Sequence, residues 1–135
     1  MNTSILQTYK ERLPWHGHAT DDLETGVRLY PTQELLKKSI VQTNPNNSVG
    51  WIIVDLDSPT SHLDWQDVNA PPPNIISINK GNGHAHLFYG LEKPVHKNDV
   101  SSFKALKYCA AVNIALTQYL GGDEGYAMHL SKNPT

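Results

Sequence analysis

The sequence has little cysteine, no run of basic residues and no long hydrophobic segment, and each absence excludes a class of protein. The single Cys109 cannot form an internal disulfide, and its place in a helical pattern among alanines indicates a buried, unreactive thiol. No segment approaches the roughly 18 apolar residues of a membrane-spanning helix. The amino terminus lacks the basic and apolar regions of a secretory signal. We therefore expect a cytoplasmic protein with no membrane partner and no redox chemistry.

The charge balance also excludes one kind of nucleic-acid binding. The formal net charge is −2, from 11 lysines and arginines against 13 acids. Tight, sequence-independent binding of duplex DNA depends on neutralising many phosphates, for which the chain has no basic run. A nucleotide enzyme stays compatible with this charge, because cations held by acidic residues can bind the phosphates. The 135 residues, of which 39% are hydrophobic, predict one domain with a hydrophobic core.

Two stretches roughly thirty positions apart carry the residues best suited to chemistry. WIIVDLD is an apolar run that ends in two acids, and GHAHLFY contains two histidines. Alternate side chains of an extended chain share a face, so Asp55 and Asp57 point the same way, as do His84 and His86. Two short strands can thereby bring two carboxylates and two imidazoles into one site. Carboxylates suit magnesium or manganese, whereas neutral imidazole suits softer metals or a phosphate oxygen.

The rest of the pattern predicts helices alternating with short strands. Predicted helices cover 3–12, 31–38, 61–68 and a segment from 99 or 101 to 120; predicted strands cover 26–30, 51–57, 74–79 and 83–89, with a final strand within 123–135. Turn-forming residues predict loops at 15–22 and 44–50, and the turn at 81–83 predicts an antiparallel hairpin. This order predicts an α+β sandwich with a mixed or antiparallel sheet.

The longest predicted helix has recognisable start and stop signals. Asp99 or Ser101 is the predicted N-cap, and Gly121 with Gly122 ends the helix. Its apolar positions recur at three-to-four spacing, which indicates an amphipathic helix. These positions are Phe103, Leu106, Ala110, Ile114 and Ala115.

The predicted loop WHGHATDD contains a second pair of histidines, His16 and His18. They could pass for a metal-binding tract, but the pattern favours solvated histidines beside a turn capped by Thr20 or Asp21. Arg28, on the following strand, is interpreted as a partner in a structural ion pair rather than as a phosphate ligand.

Four segments of the chain also carry recognisable motifs: TDDLETG at 20–26, VDLD at 54–57, NGHAHLFYGL at 82–91 and GGDEGYAMHLSKNP at 121–134. Three features together resemble the archaeo-eukaryotic primase superfamily of primase-polymerases. The first is an apolar strand ending in D-x-D, and the second is a later strand in which a small residue is followed by any residue and then histidine. The third is an acid after the next helix. Within this superfamily, the chain is similar to the replication initiators (Rep or replicase proteins) of colicin-type theta plasmids. The resemblance runs from about Leu13 to the last residues.

The resemblance implies a primase-polymerase catalytic core, an α+β domain whose mixed or antiparallel sheet is similar to an RNA-recognition motif (RRM-like) and is flanked by helices. It implies a plasmid replication initiator primase, a nucleotidyltransferase that makes a short primer at an origin from nucleoside triphosphates on a DNA template. The implied catalytic residues, which also ligate magnesium or manganese in a two-metal site, are Asp55, Asp57 and Asp123. His86 is the implied ligand of the incoming triphosphate, His84 has a supporting role, and Lys132 is a phosphate or template contact.

The chain departs from the family pattern in two respects. Family members are usually longer, with a helical segment and an origin-binding domain after the catalytic part, whereas this chain stops just beyond SKNP. Residues 1–135 are therefore interpreted as a catalytic domain, either a fragment or a short relative, with weak DNA binding of its own. The third acid also lies in GGDEGY rather than at an evident strand end, and Glu124 is an alternative to Asp123.

Two other functions stay open on the sequence alone. The His-Ala-His at 84–86 fits the His-hydrophobic-His metal motif of rolling-circle initiators and relaxases, endonucleases that bind DNA covalently through a tyrosine. Tyr108 would then be the nucleophile, although the usual tyrosine-lysine spacing is absent. A non-catalytic module would instead stack single-stranded bases on an aromatic sheet face that includes Phe88 or Tyr89.

Overall fold

A computed structural model describes residues 3–98 and 102–135 and confirms an α+β fold. The helices are α1 (Thr3–Glu11), α2 (Thr32–Leu35), α3 (Ser61–Asp67) and α4 (Phe103–Leu120), with a 3-10 turn at Leu23–Thr25. The strands are β1 (His16–Thr20), β2 (Arg28–Pro31), β3 (Ile40–Val41), β4 (Ser48–Leu56), β5 (Ile75–Ile78), β6 (Ala85–His96) and β7 (Ser131–Lys132). Within the described residues, these strands form two antiparallel sheets, and no helix is long and apolar enough to cross a membrane.

The larger sheet has the strand order β4-β6-β5 and is covered on both faces. β6 lies in the centre and pairs antiparallel with both neighbours, which confirms the predicted hairpin. One face carries Trp51 and Phe88, which pack around the buried Tyr9 of α1. The opposite face packs Leu56 and its neighbours against α4, where Leu120 is buried. Each large side chain that is fully buried in this way contributes about 1.5–3 kcal/mol, so the sheet is a rigid support for residues at its edge.

The smaller sheet has the order β2-β1-β3-β7 and brings the end of the chain next to the larger one. Its inner face packs Ala19 and Val41 against Leu35 of α2. β7 pairs with β3, so that Lys132 lies opposite Ile40. The sheets are joined through β7, since it lies beside β6 as well as β3.

The prediction of a loop at 15–22 is wrong, because most of this segment is β1. The strand pairs with β2 on one side and with β3 on the other, and these tertiary pairings outweigh the local turn-forming composition. His16 is exposed as expected, but the His18 ring is half-buried, with Nδ1 3.2 Å from Gln42 Oε1. Thr20 accepts the expected local hydrogen bond, from the Asp22 N–H at 3.0 Å. The short β3 was not predicted, and α2 ends at Leu35 rather than near position 38.

The predicted end of α4 is confirmed, but its predicted apolar pattern does not mark the buried face. Gly121 ends the helix in the left-handed conformation, with φ 71°. Phe103 and Ile114 are 59% and 58% exposed, whereas Thr117 and Leu120 are buried. The reason is that α4 buries side chains against the sheet near its C-terminal end. The predicted N-caps Asp99 and Ser101 lie outside the described residues.

Candidate active site

Strand alternation places two acids at the end of β4, as the sequence predicts. Val54 and Leu56 are buried on the face that packs against α4, so the acids between and after them lie on the other face. Asp55 faces His86 in the register of β4 and β6, and its side chain is 20% exposed. Asp57 follows the strand and its side chain is 63% exposed. The two carboxylates therefore reach from a buried sheet into solvent.

Asp123 joins this pair through a close contact between the glycine turn after α4 and strand β4. The Asp123 N–H donates to the Asp55 carbonyl oxygen at 2.9 Å. Gly122 makes this approach possible, because a Cβ there would lie 2.7 Å from Val54 Cγ1 and 3.1 Å from the same Asp55 oxygen. Asp123 thus reaches the site without belonging to a strand. Glu124 is turned back toward α4, where its Oε1 accepts a hydrogen bond from Gln118 at 3.2 Å.

The three acids form a cluster whose chemistry fits a hard divalent cation. One carboxylate oxygen from each of Asp55, Asp57 and Asp123 lies within 4.8 Å of the other two. Oxygens bound to one magnesium ion at about 2.1 Å are at most about 4.2 Å apart, so the observed spacing needs little adjustment. Burial and the charges of Asp57 and Asp123 raise the pKa of Asp55, while Lys132 opposes the shift. The three carboxylates therefore repel one another, and their oxygens lie close enough together to bind one metal ion.

His86 is held beside the acids as a neutral N–H donor. Its Nδ1 accepts a hydrogen bond from the Lys132 backbone N–H at 3.0 Å, so the ring proton is on Nε2, which lies 3.3 Å from Asp55 Oδ1. The ring packs against Tyr126 with centroids 5.1 Å apart. Burial and the positive charge of Lys132 lower the pKa of His86 to about 4. A hydrogen bond from His86 to a phosphate would thus come from a neutral imidazole at pH 7.

His84 lies beside the second acid of the pair. Its Nδ1 is 3.5 Å from Asp57 Oδ1, and its N–H donates to Asn82 Oδ1 at 3.0 Å. The preceding Gly83 has φ 81° and packs so closely on Pro59 that a Cβ would lie 2.0 Å from the Pro59 carbonyl oxygen. This contact brings the hairpin turn to the end of β4, so both sequence-predicted histidines reach the acids.

Lys132 supplies the positive charge of the site. Its backbone N–H donates to His86 Nδ1, and its charge lowers the pKa of His86 and opposes the rise in the pKa of Asp55. Among the residues that the structure describes, the Lys132 ammonium makes no hydrogen bond or ion pair. It is therefore available to an anion that approaches the acids.

Two contributors to the site had no predicted role. Tyr126 packs on His86, and burial raises the pKa of its hydroxyl, which donates to the Leu130 carbonyl. Gly122 allows Asp123 to reach β4. The sequence pattern marks the double glycine before the acid only as a helix end, whereas the second glycine, Gly122, also permits close packing on β4.

Comparison with known proteins decides the family. The model of the Replicase family matches residues 12–135. The chain belongs to the replicase family. Membership of this family indicates a role in DNA replication. The matched residues cover nearly the same range as the motif resemblance, which runs from about Leu13 to the last residues. No curated protein and no solved structure shows significant similarity to the chain.

Among the residues that the structure of this replicase-family chain describes, neither Tyr108 nor Tyr126 is well placed to be the nucleophile of the nuclease alternative. Tyr108 is 73% exposed and lies twelve residues before the end of α4, which is about 18 Å along the helix from the turn that carries Asp123. Tyr126 lies next to His86, but its buried hydroxyl has a raised pKa and donates to the backbone. The Nδ1 of His86 is also occupied, because it accepts a hydrogen bond from the Lys132 backbone N–H.

Phe88 and Tyr89 do not form the aromatic stacking face that the alternative binding module needs. Phe88 is completely buried under α1, and the prediction that it stacks bases is wrong. Tyr89 lies on the opposite face, half-buried, with its hydroxyl donating to the Pro71 carbonyl at 2.9 Å.

Arg28 is exposed, and no ion pair of Arg28 occurs among the described residues, so its predicted pairing is not found. Cys109 is half-buried rather than buried as predicted, and this partial burial raises the pKa of its thiol, which disfavours the reactive thiolate.

Proposed function

We propose that this replicase-family domain is a primase of the primase-polymerase superfamily and of the Rep type found in colicin-type theta plasmids. Its reaction is the transfer of a nucleotide from a nucleoside triphosphate to a 3′-hydroxyl, directed by a DNA template, to make a short primer at a plasmid origin. Residues 1–135 act as the catalytic domain and bind single-stranded or origin DNA weakly.

One observation carries the proposal. Three carboxylates converge within 4.8 Å beside a neutral histidine and a lysine: Asp55 and Asp57 from the end of β4, and Asp123 from the turn after α4. Clustering raises the energy of the ionised carboxylates, and a divalent cation bound between them would offset this repulsion. The family match independently indicates replication.

The site residues have distinct roles in this reaction. Asp55, Asp57 and Asp123 would hold magnesium or manganese in a two-metal site. Divalent cations bound there would lower the pKa of the attacking hydroxyl and neutralise the departing pyrophosphate. His86 donates its Nε2–H to a phosphate oxygen, and the Lys132 ammonium attracts the triphosphate. His84 orients Asp57.

The proposal is tested by nucleotide binding and by synthesis on a template. We expect calorimetry to show binding of a nucleoside triphosphate with manganese, and His86→Ala to weaken it about 10–100-fold, since a hydrogen bond to a charged group is worth about 1.5–3 kcal/mol. His86→Gln retains a donor and an acceptor and should recover part of the affinity. His96→Ala, an exposed histidine on the same strand, is the matched control.

Primer synthesis should require the acids as well as the histidine. Wild-type protein supplied with single-stranded DNA, nucleoside triphosphates and manganese should synthesise primers, and the Asp57→Asn variant should not. Equal nucleotide affinity in wild type and His86→Ala at equal melting temperature would refute the role of His86. Synthesis that survives loss of Asp57 would refute the metal site itself.

A further inference from the structure

An exposed tryptophan at the start of the smaller sheet borders a cavity of about 380 Å³. Trp15 is 84% exposed, but its backbone is held in place by Thr32. The Trp15 carbonyl oxygen accepts hydrogen bonds from the Thr32 N–H at 3.0 Å and from the Thr32 hydroxyl at 3.1 Å. The volume lies within the usual range of ligand sites, about 300–1,000 Å³. The cavity therefore has a fixed wall whose aromatic ring is open to solvent.

The lining combines an aromatic face with neutral polar groups. It consists of Trp15, His16, Pro31, Thr32 and Gln33, and none of these is a lysine, arginine, aspartate or glutamate. The Trp15 and His16 ring centroids are 6.2 Å apart and the ring planes are inclined by 42°, so the face of Trp15 is not covered by His16. The His16 ring and the Gln33 amide make no hydrogen bond in the part of the chain that the structure describes. Their donors and acceptors are therefore available to a ligand.

These groups match an unpaired nucleobase, which is flat, uncharged and polar at its edge. Proteins bind the bases of single strands by stacking them on aromatic side chains and by hydrogen bonding to their exposed edges. A phosphate would find no positive charge among the residues that line the cavity. The lining thus favours the base of a nucleotide over its phosphate.

One face of the smaller sheet connects this cavity with the candidate active site. Thr20 of β1 lies opposite Ile40 of β3, which lies opposite Lys132 of β7. Residues directly opposite each other share a face of a sheet, as do alternate residues of one strand. His16 and Lys132 therefore lie on the same face, whereas α2 packs against the other.

The distance across this face is short enough for a single strand of DNA to span. His16 lies four residues along β1 from Thr20, and Lys132 lies two strands away. At about 3.3 Å per residue and 4.8 Å per strand, the separation is about 16 Å. A strand with the B-form spacing of about 3.4 Å per nucleotide covers this distance with about five nucleotides. DNA that passes the acids can therefore reach Trp15.

We propose that the cavity beside Trp15 binds an unpaired base of single-stranded DNA. The base stacks on the Trp15 ring, and Gln33 and His16 form hydrogen bonds with its edge. The affinity of this site comes from stacking rather than from neutralised phosphates, so salt should weaken it only slightly. The assignment shares with the proposed function the premise that single-stranded DNA is a partner, and it requires neither metal nor nucleoside triphosphate.

Binding is tested in EDTA and without triphosphate, so that the acids take no part. The probe is a labelled oligothymidine of about twelve nucleotides, and its binding is followed by fluorescence anisotropy and by tryptophan emission. Wild-type emission should be quenched saturably, because a base stacks on Trp15. Trp15→Ala should abolish the quenching and weaken binding by about tenfold or more, as removal of a stacking ring does. Trp15→Phe keeps a ring and should recover part of the affinity.

Two controls separate stacking at this site from other contributions. Tyr108→Ala removes a ring that is 73% exposed on α4 and should leave the affinity unchanged. An oligonucleotide made of abasic sites keeps the phosphates but has no base to stack. It should bind the wild type about as weakly as oligothymidine binds Trp15→Ala, and Trp15→Ala should not weaken its binding further.

The outcomes distinguish this site from the proposed function. Equal affinity of wild type and Trp15→Ala for oligothymidine, or no saturable quenching in the wild type, would overturn the inference and leave the primase proposal standing. An equal loss of affinity in Tyr108→Ala would also overturn it. Trp15-dependent DNA binding by a wild type that does not bind triphosphate with manganese would refute the primase proposal and leave the base site standing.

Discussion

Asp55→Asn should stabilise the metal-free protein and abolish its response to manganese. An oxygen of Asp55 lies within 4.8 Å of an oxygen of Asp57 and of Asp123. At that distance two unit charges repel by about 0.9 kcal/mol in water and about 3.5 kcal/mol at an effective dielectric constant of 20. The lower figure applies here, because the Asp57 side chain is 63% exposed and solvent screens it. The substitution removes two such repulsions, and the amide oxygen of the asparagine can keep the contact with His86 Nε2, which lies 3.3 Å from Asp55 Oδ1.

We therefore expect the free energy of unfolding to rise by about 1–2 kcal/mol in the presence of a chelator, with an increase in Tm of about 4 °C for each kcal/mol. With manganese present, the wild type should instead be more stable than Asp55→Asn. A ligand at 100 times its Kd stabilises the folded state by about 2.7 kcal/mol, and only the wild type receives this contribution. The assay is thermal unfolding with EDTA and with a series of manganese concentrations.

Asp64→Asn is the control for loss of an acid outside the cluster. Asp64 accepts hydrogen bonds from Ser58 at 2.5 Å and Thr60 at 2.8 Å, so its replacement should destabilise the protein under both conditions and preserve the manganese shift. The reasoning fails if Asp55→Asn is less stable than wild type in EDTA. It also fails if Asp55→Asn keeps the full manganese shift.

Two further predictions concern the glycine turn and alkaline pH. Gly122→Ala should displace Asp123 and weaken manganese binding, since its Cβ would lie 2.7 Å from Val54 Cγ1; Gly121→Ala, with open space around its Cβ, should cost about 1 kcal/mol of stability and leave manganese affinity unchanged in calorimetry. Burial raises the pKa of Tyr9 to about 12, above the value of about 10 in the unfolded chain. The neutral, buried Tyr9 hydroxyl makes its full contribution to the free energy of unfolding below pH 10. This contribution is lost as the pH rises toward 12, by about 1.4 kcal/mol per pH unit, because the unfolded chain releases the proton first. Urea unfolding from pH 9 to 11 should show a shallower decline for Tyr9→Phe, and identical slopes would contradict the assignment.

The sequence was sufficient for features that depend on local periodicity and turn chemistry. The two-residue period of a strand places Asp55 and Asp57 on one face and His84 and His86 on one face, whatever surrounds them. The hairpin follows from its glycine-rich turn, and the end of α4 follows from Gly121. These predictions succeeded because the residues involved are neighbours in the chain.

Predictions that depended on distant partners were less successful. Residues 16–20 became a strand because β2 and β3 both supply backbone hydrogen-bonding partners, which outweighs local propensity. The helical repeat in α4 identified apolar residues, but the buried face depends on which part of the helix meets β4. A repeat in sequence gives the period of a helix, and only packing decides which side is covered.

The sequence by itself determined that two acids and two histidines would each share a face, since strand geometry alone requires it. The tertiary structure decided that the faces meet, that Asp123 joins them and that His86 carries its proton on Nε2. The last two depend on contacts between residues far apart in the chain: Gly122 against Val54, and the Lys132 N–H with the His86 ring. Such contacts follow from how the sheets pack, and no local pattern specifies them.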